Sequence, residues 1–263
     1  MVHSTSLSGA IMKKIAIAGI AALIGTPALA ADMAVTAPPP LPVPVITWNG
    51  CYVGANIGAG WSRNQTLDAG NPTSFGVDVG TNTGTGVVGG VQVGCDSQFG
   101  NWVVGGRGMF DWTDLSASNP VTSVALATGN FTPHEVLGHK TQWFGAPTVR
   151  VGYAVIPQLL LYVDGGAAWV KQNYSDIDPV VGFAGFATDT RTGWTVGGGA
   201  EYLLLPNLSV FAEYDYFGLG TSRERLFYSF APGAFTFPYN FKSNVQTVLF
   251  GVNYRFNIGG ASK

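Results

Sequence analysis

Near its end the chain alternates without a break. Val248, Phe250, Val252, Tyr254 and Phe256 fall on one face of an extended segment, and Leu249, Gly251, Asn253 and Arg255 fall on the other. A period of two is the signature of a β-strand with two unlike faces. What the aromatic and branched face meets is settled by charge. Only 11% of the residues are charged, against roughly 25% in soluble domains. A β-sandwich would turn its apolar faces inward and coat its outside with charge, and this chain has too little for that. The apolar faces must therefore meet lipid. In lipid every backbone N–H and C=O needs a partner inside the protein, which a sheet provides only by closing on itself.

The same alternation places strands at about 50–62, 86–97, 101–113, 141–154, 159–171, 191–204, 207–218 and 244–256. Between 191 and 204, Trp194, Val196, Gly198, Ala200 and Tyr202 oppose Thr195, Gly197, Gly199 and Glu201. Between 207 and 218, Leu208, Val210, Ala212, Tyr214 and Tyr216 oppose Ser209, Phe211, Glu213 and Asp215. Long polar loops are expected near 63–85, 114–140, 172–190 and 219–243, with short turns near 98–100, 155–158 and 205–206. An even strand count, short turns at one end and long loops at the other describe an up-and-down antiparallel outer-membrane barrel. The predicted fold is thus all-β, an eight-stranded transmembrane barrel over 47–256 preceded by a cleaved signal peptide.

The ends of the chain fit that compartment. Lys13 and Lys14 precede an apolar run from Ile15 that closes on Ala28-Leu29-Ala30, the pattern of a secretory signal with a small-residue cleavage site. Residues 1–30 are read as that signal, with Met12 as its start. Residues 31–46 carry Pro38-Pro39-Pro40-Leu41-Pro42-Val43-Pro44 and are read as an extended periplasmic linker. Residues 257–263 form a tail.

All seven tryptophans stand near predicted strand ends: Trp48 and Trp102 on the periplasmic side, and Trp61, Trp112, Trp143, Trp169 and Trp194 on the outer side. They are expected to form the interfacial aromatic girdles of a barrel. The inward faces carry Asp96, Arg107, Asp111, Arg150, Asp164, Glu201, Glu213, Asp215 and Arg255. The lumen of an eight-stranded barrel is just filled by side chains, so charges there must be paired or wetted. Arg107 and Arg150 are expected to contact carboxylates among Asp164, Glu201 and Glu213. The network reads as a polar plug holding the strands in register, or as a narrow cation-leaning path. Two weaker motifs carry no chemistry. Gly84-Thr85-Gly86-Val87-Val88-Gly89 matches the dinucleotide pattern but lacks a following helix, so its glycines are read as room for side chains from across the barrel. His134 and His139 are five apart, not four, so they miss the zinc-helix spacing and are read as a solvated pair in a polar loop. A net charge of −2 gives no footprint for nucleic acid.

Trp48-Asn49-Gly50-Cys51-Tyr52-Val53-Gly54-Ala55-Asn56 resembles the opening of the small opacity-like outer-membrane barrels of alphaproteobacteria. That family includes surface antigens of brucellae and rhizobia and is similar in fold to the OmpA barrel. Gly89-Gly90-Val91-Gln92-Val93-Gly94, Phe110-Asp111-Trp112-Thr113-Asp114-Leu115, Gly193-Trp194-Thr195-Val196-Gly197, Glu213-Tyr214 and Gly251-Val252-Asn253-Tyr254-Arg255-Phe256 extend the resemblance over residues 31–256. The chain departs from the family at Cys51 and Cys95, where aromatics are usual, and at Met109, Phe211 and Leu249, where lumen charges are usual. Pro147 inside a strand predicts a bulge. Cys51 and Cys95 lie near the periplasmic ends of neighbouring strands on outward faces, in a chain sent to an oxidising compartment. Directly opposed they are within reach of a disulfide, and slipped by two residues they are two free thiols.

The resemblance and the pattern together imply an outer-membrane protein that supports the membrane and displays loops. The alternatives are a low-conductance pore and, more remotely, a lipid-modifying enzyme. No cofactor, metal or catalytic residue is expected. Expected partners are outer-membrane lipid and lipopolysaccharide, the barrel assembly machinery, and host or surface ligands bound through the loops.

Overall fold

The computed structural model describes residues 46–70, 72–230 and 233–256. The predicted signal peptide, nearly all of the linker and the tail after Phe256 lie outside the described residues. Eight strands run in chain order: β1 (Gly50–Asp68), β2 (Asp78–Phe99), β3 (Trp102–Pro120), β4 (Val136–Ile156), β5 (Leu159–Asp178), β6 (Phe183–Leu205), β7 (Leu208–Phe230) and β8 (Gly233–Phe256). Each pairs antiparallel with its neighbour, and β1 pairs with β8, so the sheet closes. One helical turn, α1 (Ser123–Leu126), sits between β3 and β4, capped by the Thr122 hydroxyl.

The burial pattern is that of a protein turned inside out. Ile57, Val163 and Val87 are 64%, 63% and 63% exposed, while Arg150, Glu201 and Asp215 are buried. Lipid-facing and lumen-facing residues alternate along each strand, as an outer-membrane barrel requires. The turns at one end are tight. Gly100, with φ at 62°, lets β2 turn into β3 through two residues, a left-handed conformation that costs glycine nothing.

The strands are much longer than the alternation alone predicts. They run 19 to 24 residues, which at about 3.3 Å per residue and 40–45° of tilt gives a wall roughly 45–60 Å tall. The apolar band of such a barrel is only about 25 Å tall. Three of the four stretches read as long loops, 63–85, 172–190 and 219–243, are therefore mostly strand, the fourth, 114–140, is strand at both ends, and the outer connections shrink to 69–77, 121–135, 179–182 and 231–232.

Pro147 does not make the predicted bulge. The β4–β5 ladder skips Ala146 and Pro147 but keeps its register from Gly145↔Trp169 to Thr148↔Gly166. Gly166, the partner of Thr148, leaves room for this stretch, since a Cβ there would overlap the Pro147 carbonyl. The register shift in this part of β4 lies between Thr141 and Trp143 instead. The glycines at 84 and 86 likewise serve the adjacent strand and not the far wall, since a Cβ at either would press on the backbone of Ser116 or Asp114 in β3.

Candidate functional site

The lumen is stacked in layers from the periplasmic end outward. At the bottom, Ile46 and Trp48 fold in beneath the barrel. The Trp48 backbone N–H donates to Gln98 Oε1 at 2.8 Å, and its indole donates to the Pro157 carbonyl at 3.1 Å. The ring packs with Val103, Ala154, Leu160, Tyr162 and Leu203, and the Arg255 guanidinium lies 4.6 Å from it. Trp48 is fully buried, which removes it from the predicted lipid-facing girdle. It lies before β1, so no lipid-facing strand position holds it, and its ring seals the lumen.

Above this floor two arginines and two carboxylates alternate. Arg150 donates to Asp96, with Nε to Oδ1 at 2.8 Å, and to Glu201 at 2.9 Å. Arg255 donates to the same two acids at 3.0 and 2.9 Å. Ser209 and Asn253 donate to Glu201 Oε1, the oxygen that Arg255 also contacts, at 2.5 and 2.9 Å. The cluster is electrically neutral, and Tyr52 lies about 5 Å from both guanidinium groups.

The next layer has the opposite balance. Arg107 contacts Asp164, reaches Glu213 at 2.5 Å, and lies 3.7 Å from Asp215. It also donates to Gln92 at 3.3 Å and Thr148 at 3.4 Å. Tyr162 donates to Glu213 at 2.5 Å. Asp164, Glu213 and Asp215 each bring one oxygen within 4.8 Å of the others, and the Arg107 guanidinium is the cation they share. Asp111 is buried, with the Asn56 amide as its polar neighbour. The structure thus divides the five predicted charges between two layers: Arg150 and Glu201 below, Arg107, Asp164 and Glu213 above.

An apolar stratum closes the lumen over Arg107. Val88, Met109, Leu115, Phe144, Val170, Phe217, Val245 and Leu249 pack across it, with the Phe144 and Phe217 rings 4.7 Å apart. Met109 and Leu249, two of the family departures, belong to this stratum. Higher still, Arg191 donates to Ser243 at 2.7 Å and to the carbonyls of Leu219, Gly220 and Phe241 at 3.0–3.1 Å. His139 is buried there with its Nε2 2.9 Å from the Ser62 hydroxyl, which corrects its reading as solvated; His134 is exposed. Arg191 and His139 were missed as lumen residues because both lie beyond the outer tryptophans.

The outer mouth is capped by Val79, Phe131, Leu137, Tyr174, Leu226, Tyr228, Tyr239 and Phe241. A cavity of about 190 Å³ opens into this cap beside Glu135 and Asp176. Tyr228 and Tyr239 donate to one Asp176 oxygen at 2.6 and 3.2 Å. Burial and the neighbouring Asp176 push the Glu135 carboxyl up to about 8.

On the outer surface Trp61, Trp112, Trp143, Trp169 and Trp194 point away from the lumen near one level, and Trp102 does so near the other. Trp112 and Trp102 are each 57% exposed. Trp102 packs on Tyr153 at 5.2 Å, Trp143 on Phe110 at 5.3 Å and Trp194 on Tyr216 at 5.4 Å. Cys51 and Cys95 are directly opposed in the β1–β2 ladder and are joined by a disulfide, with their Cα atoms 3.9 Å apart.

Comparison with known proteins agrees with this architecture. The 31 kDa outer-membrane immunogenic proteins of Brucella melitensis and Brucella suis are each 33% identical over 257 residues, covering 93% of this chain and 100% of theirs. The outer membrane protease OmpT from Escherichia coli superposes with a TM-score of 0.51, covering 80% of this chain and 98% of its own at 11% identity. At that identity the likeness is one of fold alone. The model of the outer membrane protein beta-barrel domain matches residues 18–256, and the chain belongs to that family of outer-membrane β-barrels.

Proposed function

We propose that this outer-membrane barrel is a sealed structural and surface-display protein, not a pore. The observation that carries the reading is the filled lumen: a tryptophan floor, a neutral charge layer, an acid-rich layer on one arginine, an apolar stratum and an aromatic cap follow one another. An aqueous path would have to break the ion pairs and also wet the Phe144–Phe217 stratum. In this reading the Arg107 and Arg150 networks hold opposite walls in register, and the outward tryptophans set the barrel's depth. The extended wall carries the four outer connections well clear of the bilayer, where host or surface ligands would meet them. Lipid and the assembly machinery are the partners of the outward face.

A deletion strain tests this. The expected result is increased detergent sensitivity and vesicle shedding with unchanged uptake of small solutes. A cysteine placed at Thr128 should be labelled on intact cells by a membrane-impermeant reagent. Reduced solute uptake with an intact envelope would overturn the reading in favour of a channel, and failure of the Thr128 label would overturn surface display.

A further inference from the structure

Two residues beyond Trp61 on the same outward face of β1 stands Arg63, followed by Gln65. In the β1–β8 ladder Arg63 is opposite Asn244, and Gln65 is opposite Lys242. These four side chains line an outward-facing cavity of about 270 Å³. Arg63 and Lys242 are therefore diagonal neighbours across one strand pair, with backbones roughly 7–8 Å apart, a span that one tetrahedral anion bridges. Both are exposed, and neither takes part in an ion pair among the described residues. On another part of the wall the exposed Lys140 is matched at 2.6 Å by Asp114.

The surroundings reinforce this positive character. Arg223 on β7 is opposite Asn240, diagonal to Lys242, and Arg225 follows it on the same outward face. Arg223 is partly engaged, donating to the Ala69 carbonyl at 2.9 Å. Asp78 adjoins the cradle and accepts from the Gln65 amide nitrogen at 2.7 Å; that bond holds Gln65 as one wall of the cavity. A chain of net charge −2 thus gathers four cations on three adjacent strands. Arg63, two residues beyond Trp61, stands immediately above the aromatic girdle, the level at which barrel side chains meet lipid headgroups, and Lys242, Arg223 and Arg225 follow successively farther along the wall.

We propose that Arg63 and Lys242, flanked by Gln65 and Asn244, seat a phosphate group of an outer-leaflet lipid headgroup. Arginine supplies a fork of N–H donors suited to phosphate oxygens, and lysine a compact second charge. The seat bridges β1 and β8, the first and last strands, so a bound headgroup would clamp the seam where the barrel closes. The proposal rests on the outer-membrane reading and names a lipid partner for its outward face.

The test uses the mature chain refolded into phosphatidylcholine vesicles containing either diphosphoryl lipid A or its dephosphorylated form. Lipid retained after mild detergent extraction is counted by native mass spectrometry. Wild type should retain the diphosphoryl form preferentially. At about 1 kcal/mol per basic residue near a charged lipid surface, R63Q with K242Q should weaken retention about 25-fold, while K140Q leaves it unchanged. Equal retention by the double variant, or no preference for the phosphorylated form, would overturn the assignment. So would displacement by millimolar inorganic phosphate, which would make the ligand a solution anion. Heat-modifiable gel mobility reports insertion separately. A chain that fails to insert defeats the barrel reading and this proposal together, whereas one that inserts without discriminating defeats this proposal alone.

Discussion

Arg107→Ala is the sharpest single perturbation of the lumen. The side chain it removes is the cation shared by Asp164, Glu213 and Asp215, and it also holds Gln92 and Thr148. The other two lumen arginines of the charge layers, Arg150 and Arg255, are committed to Asp96 and Glu201, so no second cation is free to replace it. Taking one partner from a buried pair costs about 3–5 kcal/mol, because the partners left behind are desolvated charges. With three carboxylates on one guanidinium, the upper end of that range is expected. Urea unfolding of the refolded chain in vesicles, followed by tryptophan fluorescence and heat-modifiable mobility, measures it. Combining Arg107→Met with Asp164→Asn, Glu213→Gln and Asp215→Asn should recover most of the loss, since the charges are then gone and not merely unpaired. A loss below about 1 kcal/mol for the single variant, against that 3–5 kcal/mol expectation, would refute the argument that this layer fastens the walls together.

Three further outcomes follow from the same geometry. A free-thiol assay on the unfolded, unreduced mature chain should find no reactive thiol. The Cys51→Ser, Cys95→Ser variant should lose up to about 4 kcal/mol by the loop-closure relation for a 44-residue separation. Trp48→Ala should cost about 3–5 kcal/mol, as for other buried aromatic truncations, and should make the Arg255 end of the lumen accessible to hydrogen exchange. At the outer mouth, the raised Glu135 carboxyl binds its proton more tightly in the folded cap than in the open one. Its contribution to cap stability is therefore complete below the ordinary glutamate range and is lost as pH rises toward about 8. Amide protection in residues 131–135, corrected for the intrinsic rise of exchange rate with pH, should fall across that window in wild type. In Glu135→Gln that fall should be absent.

Sequence pattern located the membrane part of each strand because lipid enforces it. Every second residue must be apolar, and Val248, Phe250 and Val252 of β8 obey. The pattern failed just beyond the girdle, where the same strands continue into water and the alternation changes phase. On the same β8, Tyr239, Phe241 and Val245 turn inward to the cap and the apolar stratum, while Lys242 turns out. Phase reversal within one strand looks like loss of pattern, so 219–243 read as a loop. Arg191 and His139 went unnoticed as lumen residues for the same reason. Short alternations such as Leu226 with Tyr228 and Tyr239 with Phe241 were the available signal. The lumen charges below the girdle were legible residue by residue, because a charge in a membrane strand has only one face to occupy. Their grouping was not. Which acid meets Arg107 and which meets Arg150 depends on stagger between non-adjacent strands, which no local pattern encodes. Trp48 was misplaced because its position before β1 exempts it from the alternation that governs the other six.

A sealed structural barrel requires a lumen closed from end to end, and single-channel recording of the refolded mature chain in a planar bilayer tests that closure most directly. In 1 M potassium chloride the wild-type chain should give no discrete current steps, and Arg107→Ala should add none, because the Trp48 floor and the Phe144–Phe217 stratum remain in place. Reproducible wild-type steps with cation selectivity, abolished by neutralising Glu213 and Asp215, would contradict it and make the acid-rich layer a conduction path.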